Sequence, residues 1–223
     1  MDPQRAAKGS DGDPIAYYFD FVSPYAYLAL GRARKLAHAH SRDLELRPVL
    51  LGVTVMQVMG LKPIPQTPLK GAYARRDVER LAKLHGVPFR HHGLADVSPV
   101  AAMRAFLHIR QQDASAADAF ATRVFDRLWH AGRDISRFED FTDDLSAVGQ
   151  DPASVQAASE SPAGRALLRQ AVQAAVHAGV FGVPFLIADG EPFWGGDRLP
   201  MLDHWLTHGS WDGPASPPVD AMR

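Results

Sequence analysis

The stretch Tyr17-Tyr18-Phe19-Asp20-Phe21-Val22-Ser23-Pro24-Tyr25 constrains the fold more than any other part of the chain. It begins as an aromatic, β-favouring run and halts at Ser-Pro, and the residues from Tyr25 to His38 that follow have helical character. A strand that runs straight into a helix places Ser23 at a helix N-terminus. There, unpaired backbone N–H groups and the helix dipole favour an anion. One reading makes Ser23 an N-cap with Pro24 at the first helical position, where the missing N–H costs nothing. A second has the hydroxyl facing a ligand.

Around this stretch the chain falls into an ordered series. Ile15 to Phe21 reads as a first strand, Pro24 to His40 as a first helix, and Leu44 to Val49, with alternating character, as a second strand. A helix of that length between two strands argues for a parallel pair joined by a right-handed crossover. Gly60 to Pro68 carries Pro63, Pro65 and Pro68 and is expected to be an extended loop. Helical patterns then dominate. Tyr73 to His85 is stopped by Gly86 and Pro88, Ser98-Pro99 opens a second helix, and Ser115 to Ala131 forms a third. Ser136-Arg137-Phe138-Glu139 has capping-box spacing, and Ser161-Pro162 starts a helix that ends at Gly179. The β pattern returns in Phe185 to Ile187, the turn Asp189-Gly190, and Pro192 to Trp194, and Arg198 to Leu206 closes the series as a helix.

Neither outer piece can bury a sheet alone. Together they give an α/β fold, a thioredoxin-like four-stranded mixed sheet with a long all-helical insertion. Residues 15–50 and 179–208 form the thioredoxin-like domain and 51–178 the insertion, between a disordered N-terminus (1–14) and a C-terminal tail (209–223). This layout brings Ser23 near Gly182-Val183-Pro184, ahead of the third strand.

A formal net charge of −1 gives no electrostatic reason to expect nucleic acid or an anionic membrane surface. No apolar run approaches the roughly 18 residues that span a bilayer. The polar residues 1–14 lack the core of a signal peptide, so a cytoplasmic location is expected. The chain has no cysteine, which excludes disulfides, thiolate metal sites, a Cys nucleophile and a Cys-x-x-Cys redox pair. Any thiol chemistry must therefore arrive with a ligand, and the second reading of Ser23 is of a hydroxyl facing that ligand's thiolate. The 10 histidines, His38/His40 and His91/His92 among them, match no metal-ligand spacing, and no metal is expected.

Four motifs in order carry a resemblance. They are Phe19-Asp20-Phe21-Val22-Ser23-Pro24-Tyr25; Lys62-Pro63 with Pro68-Leu69-Lys70-Gly71-Ala72-Tyr73, Asp77, Arg80, Gly86 and Pro88; Gly179-Val180-Phe181-Gly182-Val183-Pro184; and Phe193-Trp194-Gly195-Gly196-Asp197-Arg198-Leu199. From Tyr17 to near His208 the chain resembles the kappa-class glutathione transferases and the related 2-hydroxychromene-2-carboxylate isomerases, within the DsbA-like thioredoxin superfamily. The resemblance implies glutathione as cofactor, with Ser23 hydrogen-bonded to its sulfur in the place where oxidoreductases of the superfamily carry a nucleophilic Cys. It implies that Val183, before a cis Pro184, pairs its backbone with the cysteinyl residue. It also implies that Asp197 takes the γ-glutamyl amine, Gly196 gives its N–H to the γ-glutamyl carboxylate, and Lys70 reaches the glycyl carboxylate. From residues alone, Gly196-Asp197 also reads as a helix cap, Lys70 as a solvated lysine and Val183-Pro184 as a strand entry.

Two positions depart from the pattern. Leu61 stands where many members have Asn, removing a hydrogen bond worth roughly 0.5–1.5 kcal/mol. Gly196 stands where Ser or Gln is frequent. The expected activity is glutathione-dependent isomerisation of a small aromatic or electrophilic substrate by a homodimer. The alternatives are a kappa-like transferase and a non-catalytic thiol or peptide binder.

Overall fold

The structure is a computed structural model, and it describes residues 12–94 and 96–212. The expected disordered segment 1–14 therefore lies mostly outside the described residues, as does the tail beyond Asp212.

Four strands make one mixed sheet: β1 (Ile15–Phe19), β2 (Leu44–Pro48), β3 (Phe185–Ala188) and β4 (Glu191–Trp194), in the order β2-β1-β3-β4. β1 runs parallel to β2 and antiparallel to β3, with Tyr17 opposite Leu46 on one side and Leu186 on the other. All five residues of β1 are buried, as a central strand covered on both faces requires, which is why its sequence is a continuous apolar run. The Asp189-Gly190 hairpin turn has positive φ at both residues, which glycine and aspartate tolerate best.

Eight α-helices accompany the sheet among the described residues. They are α1 (Pro24–Ala39), α2 (Lys70–Leu84), α3 (Val100–Gln112), α4 (Ala114–Trp129), α5 (Thr142–Ala147), α6 (Pro152–Glu160), α7 (Pro162–His177) and α8 (Leu199–His208). Six of them, α2 to α7, lie between β2 and β3 in the chain. One hydrophobic cluster spans the sheet and these helices. At its centre Phe19, Phe21, Phe106 and Phe125 pack edge to face or tilted, with ring centroids 5.0–5.7 Å apart, joining β1 to α3 and α4. Such aromatic pairs each add about 0.5–1.5 kcal/mol beyond the area they bury.

Several local readings need correction. The segment after β2 is not only loop: a π-helical turn covers Gly52–Val58, and a 3-10 turn, Ile64–Gln66, forms among the prolines. α2 begins at Lys70, three residues ahead of the expected Tyr73. α6 adds a helix that the apolar pattern hides, because only Val155 and Ser159 of its nine residues are buried. Ser136 does not cap the helix that follows. Its hydroxyl and N–H both go to Asp134 Oδ1, at 2.6 and 2.9 Å, so the box forms one residue later, where the Arg137 N–H donates to Asp140 Oδ2 at 2.9 Å.

Candidate active site

Ser23 is the N-cap of α1. Its Oγ accepts the Ala26 N–H at 3.2 Å, and Pro24 occupies the first helical position. The capping reading of the sequence therefore holds. The hydroxyl's own proton points at the Val183 carbonyl across a long 3.5 Å contact, at the limit of a useful hydrogen bond. That donor is largely unspent, at a buried position only 4% exposed.

The turn that carries Ser23 is held from several sides. The Tyr17 hydroxyl donates to the Ala26 carbonyl at 2.6 Å, locking β1 to the first turn of α1. The Trp129 indole, at the end of α4, donates to the Phe21 carbonyl at 2.8 Å. Asp20, 1% exposed, accepts the Val22 N–H at 3.2 Å and the Leu51 N–H at 2.9 Å, tying the turn to the start of the π-helical segment. Burial pushes the Asp20 carboxyl up to about 6, against the pull of those two backbone hydrogen bonds. Sequence reasoning quoted Asp20 inside a motif without a role. The signal was available: a lone carboxylate in an apolar run must be hydrogen-bonded if it is buried.

Opposite Ser23 lies the Val183–Pro184 bond, which is cis. Among the described residues nothing accepts from the Val183 N–H, while the Pro184 carbonyl is taken by the Gly195 N–H at 2.9 Å. A free backbone donor beside an aimed carbonyl, just ahead of β3, is an edge that an extended ligand can pair with. Gly195 has φ +104 and follows β4. Gly196 approaches α1 so closely that a Cβ on it would lie 2.9 Å from the Ala29 Cβ, so a side chain there would have to displace the helix. The Gly196 N–H also has no acceptor among the described residues. The helix-cap reading of Gly196-Asp197 fails: Asp197 caps nothing, and its exposed carboxylate pairs with Arg198 Nη1 at 2.8 Å. Arg32, on α1, adds attraction toward Asp197 and contacts His85 Nε2 at 2.9 Å.

Lys70 is exposed at the first position of α2. Two contacts fix how α2 lies. The Tyr25 hydroxyl donates to Asp77 Oδ2 at 3.1 Å, and Arg32 meets His85, so α1 and α2 run parallel, in step by seven to eight residues. Lys70 is seven residues ahead of Asp77, which puts it on the same helix face to within about 20° and about 10 Å further along the axis. The Tyr25–Asp77 pair is a second feature that sequence reasoning quoted without assigning.

Ser23 and the Val183–Pro184 bond thus meet at the N-terminal end of α1, and Gly196 packs on the same helix further along, at Ala29. Asp197 follows Gly196 on the surface, and Lys70 is exposed at the start of α2. Among the described residues no group of three or more His, Asp or Glu side chains could hold a metal ion, and no helix is long and apolar enough to cross a membrane.

Residues 14–207 match the model of the DSBA-like thioredoxin domain. Over 197 residues the chain is 32% identical to a 2-hydroxychromene-2-carboxylate isomerase of Sphingobium xenophagum, covering 86% of this chain and 97% of that one. It is 26% identical to glutathione S-transferase kappa 1 of Rattus norvegicus, with 93% and 96% covered. Among solved structures, one of a 2-hydroxychromene-2-carboxylate isomerase superposes with a TM-score of 0.78 at 25% identity, covering 86% of this chain and 94% of that one. The sheet order, the placement of Ser23 at the end of β1 and these matches agree: the chain belongs to the DSBA-like thioredoxin domain family, among relatives that are isomerases and glutathione transferases.

Proposed function

We propose that the protein is a glutathione-dependent cis–trans isomerase of the 2-hydroxychromene-2-carboxylate type, acting on a small unsaturated aromatic acid. The observation that carries this reading is the Ser23 hydroxyl, poised at a capped helix N-terminus with its proton barely engaged by Val183, in a chain with no sulfur nucleophile of its own. Bound glutathione would supply a thiolate that adds to the substrate's unsaturated carbon, permits rotation about the resulting single bond, and leaves again.

The residues present fit that group. A hydroxyl donor and a helix N-terminus favour thiolate over thiol. The unpaired N–H and the carbonyl of Val183 suit the cysteinyl backbone, and the unpaired N–H of Gly196 suits a carboxylate. Asp197 can exchange its exposed partner Arg198 for an ammonium group. Lys70, exposed at the first position of α2, suits a carboxylate at the far end of the tripeptide. Serine in place of cysteine cannot form a mixed disulfide, so it holds a thiolate without exchanging with it. An aromatic acceptor has apolar surface to pack on around Lys70, where Met56, Val58, Leu61 and Leu69 before it and Tyr73 after it are all exposed. The same surface suits a second copy of the chain, in keeping with a cytoplasmic homodimer in which 51–178 is an insertion.

Product analysis tests the reaction. Glutathione recovered unchanged beside an isomerised acid is the expected result. A stable glutathione conjugate would overturn it in favour of transfer.

A further inference from the structure

A pocket of about 240 Å³ opens in the helical region, lined by Ser98, Ala101, Arg104, Phe138, Ser159 and Glu160 among others, and shares no residue with the site described above. Two buried polar atoms there lack any hydrogen-bond partner among the described residues: Arg104 Nε and Ser159 Oγ. Ser159 is 1% exposed. Buried donors in folded proteins are almost always paired, so two orphans lining one pocket point to a missing acceptor. The pocket also lies at the start of the 13-residue helix α3, whose N-terminus has no side-chain cap, leaving first-turn N–H groups free.

The charges around Arg104 favour an anion. Burial above all, and then the like charges of Arg165 and Arg169 from α7, lower its affinity for its own proton, while Glu160 opposes them. Glu160 forms no ion pair with Arg104. Its carboxylate takes the Gln156 amide at 3.3 Å, and its backbone carbonyl takes Arg165 Nε at 3.1 Å. The remaining wall is mixed: Val100, Ala101 and Phe138 give it an apolar side, and Ser98 and Ser136 a polar one.

We propose that this pocket is a second ligand site, which takes a small organic monoanion by its carboxylate, with Arg104 and Ser159 as donors and Phe138 against the apolar body. A single unpartnered guanidinium facing the apolar side at Phe138 selects a compact carboxylate with one hydrophobic face, and Glu160 at the rim disfavours a dianion.

Calorimetric titration of the full chain with benzoate tests this. Saturable binding is expected, weakened at least about tenfold by Arg104→Gln, since a charge-assisted hydrogen bond is lost. Arg104→Gln should fold as stably as the parent, because it removes an unpartnered buried donor. Glu160→Gln, an exposed rim change that leaves the core alone, should tighten binding. Benzyl alcohol, neutral and of similar shape, should not bind. Benzoate affinity unchanged in Arg104→Gln, or not improved in Glu160→Gln, overturns the proposal. So does inorganic phosphate binding as tightly as benzoate.

Discussion

Replacing Ser23 separates two jobs that the structure assigns to one hydroxyl. As acceptor, Oγ caps α1 through the Ala26 N–H at 3.2 Å; as donor, it is aimed at Val183 across 3.5 Å and is nearly free for a ligand. Ser23→Ala removes both. The lost cap costs about 1 kcal/mol of stability, within a usual span of about 0.5–2. The lost donor to a bound thiolate costs about 1.5–3 kcal/mol of preference for the charged form. At about 1.36 kcal/mol per unit, that raises the pKa of bound glutathione by roughly one to two units. Ser23→Gly is the control. Glycine is nearly as good an N-cap and costs only a few tenths of a kcal/mol, yet it donates nothing to a ligand.

The assay is thiolate absorbance of the glutathione complex against pH, paired with thermal unfolding. Both variants should titrate one to two units above the parent, and only Ser23→Ala should lose appreciable stability. If bound glutathione titrates alike in all three proteins, the hydroxyl does not poise the sulfur and the proposed mechanism falls. If the pKa change tracks the stability loss instead, being large in Ser23→Ala and absent in Ser23→Gly, the hydroxyl acts only by shaping the helix end.

Other outcomes follow from the same geometry. Ser23→Cys supplies the thiol that the chain lacks and should form a mixed disulfide with oxidised glutathione, visible by mass; no adduct would mean that a ligand sulfur cannot reach this position. Tyr25→Phe breaks the 3.1 Å bond that holds α2 in step with α1, and should raise KM for glutathione about three- to tenfold with little change in kcat. An equal fall in both would assign Tyr25 to the chemistry instead. Lys70→Ala should weaken glutathione binding by a few-fold at low salt, an effect that fades as salt rises, because the lysine is exposed; a salt-independent loss would contradict a simple charge contact. Asp20, pushed from 3.8 to about 6, binds a proton more tightly folded than unfolded, so stability should fall as pH rises from about 4 to about 6 and then level off, by at most ~3 kcal/mol. Asp20→Asn should abolish that slope in pH-dependent unfolding, and a slope that survives would place its origin elsewhere.

Periodicity and turn chemistry were enough for the frame, because local rules govern it. The all-buried β1, the Ser-Pro starts of α1 and α7 and the Asp-Gly hairpin turn all appear where the residues place them. Those rules failed where a distant partner wins. Ser136 has the spacing of a capping residue, but the Ser98 N–H, 38 residues away, donates to its oxygen and Asp134 beside it accepts its hydroxyl proton. α6 shows almost no apolar stripe, yet its Asp151-Pro152 start is the same device as Ser23-Pro24: Asp151 accepts the Ser154 N–H at 2.9 Å.

The candidate site divides the same way. Ser23 is legible because its cap is local. The residues that hold it in place, Asp20 with Leu51, Trp129 with Phe21 and Tyr25 with Asp77, act across 31 to 108 positions, and no window of sequence contains both partners. A capped serine alone occurs at many helix ends. What makes this one a candidate is tertiary: a proton left almost unspent because Val183, its one acceptor among the described residues, sits at 3.5 Å rather than 2.8. The decisive quantity is thus about 0.7 Å of separation between residues 160 positions apart, set by how β3 docks against β1.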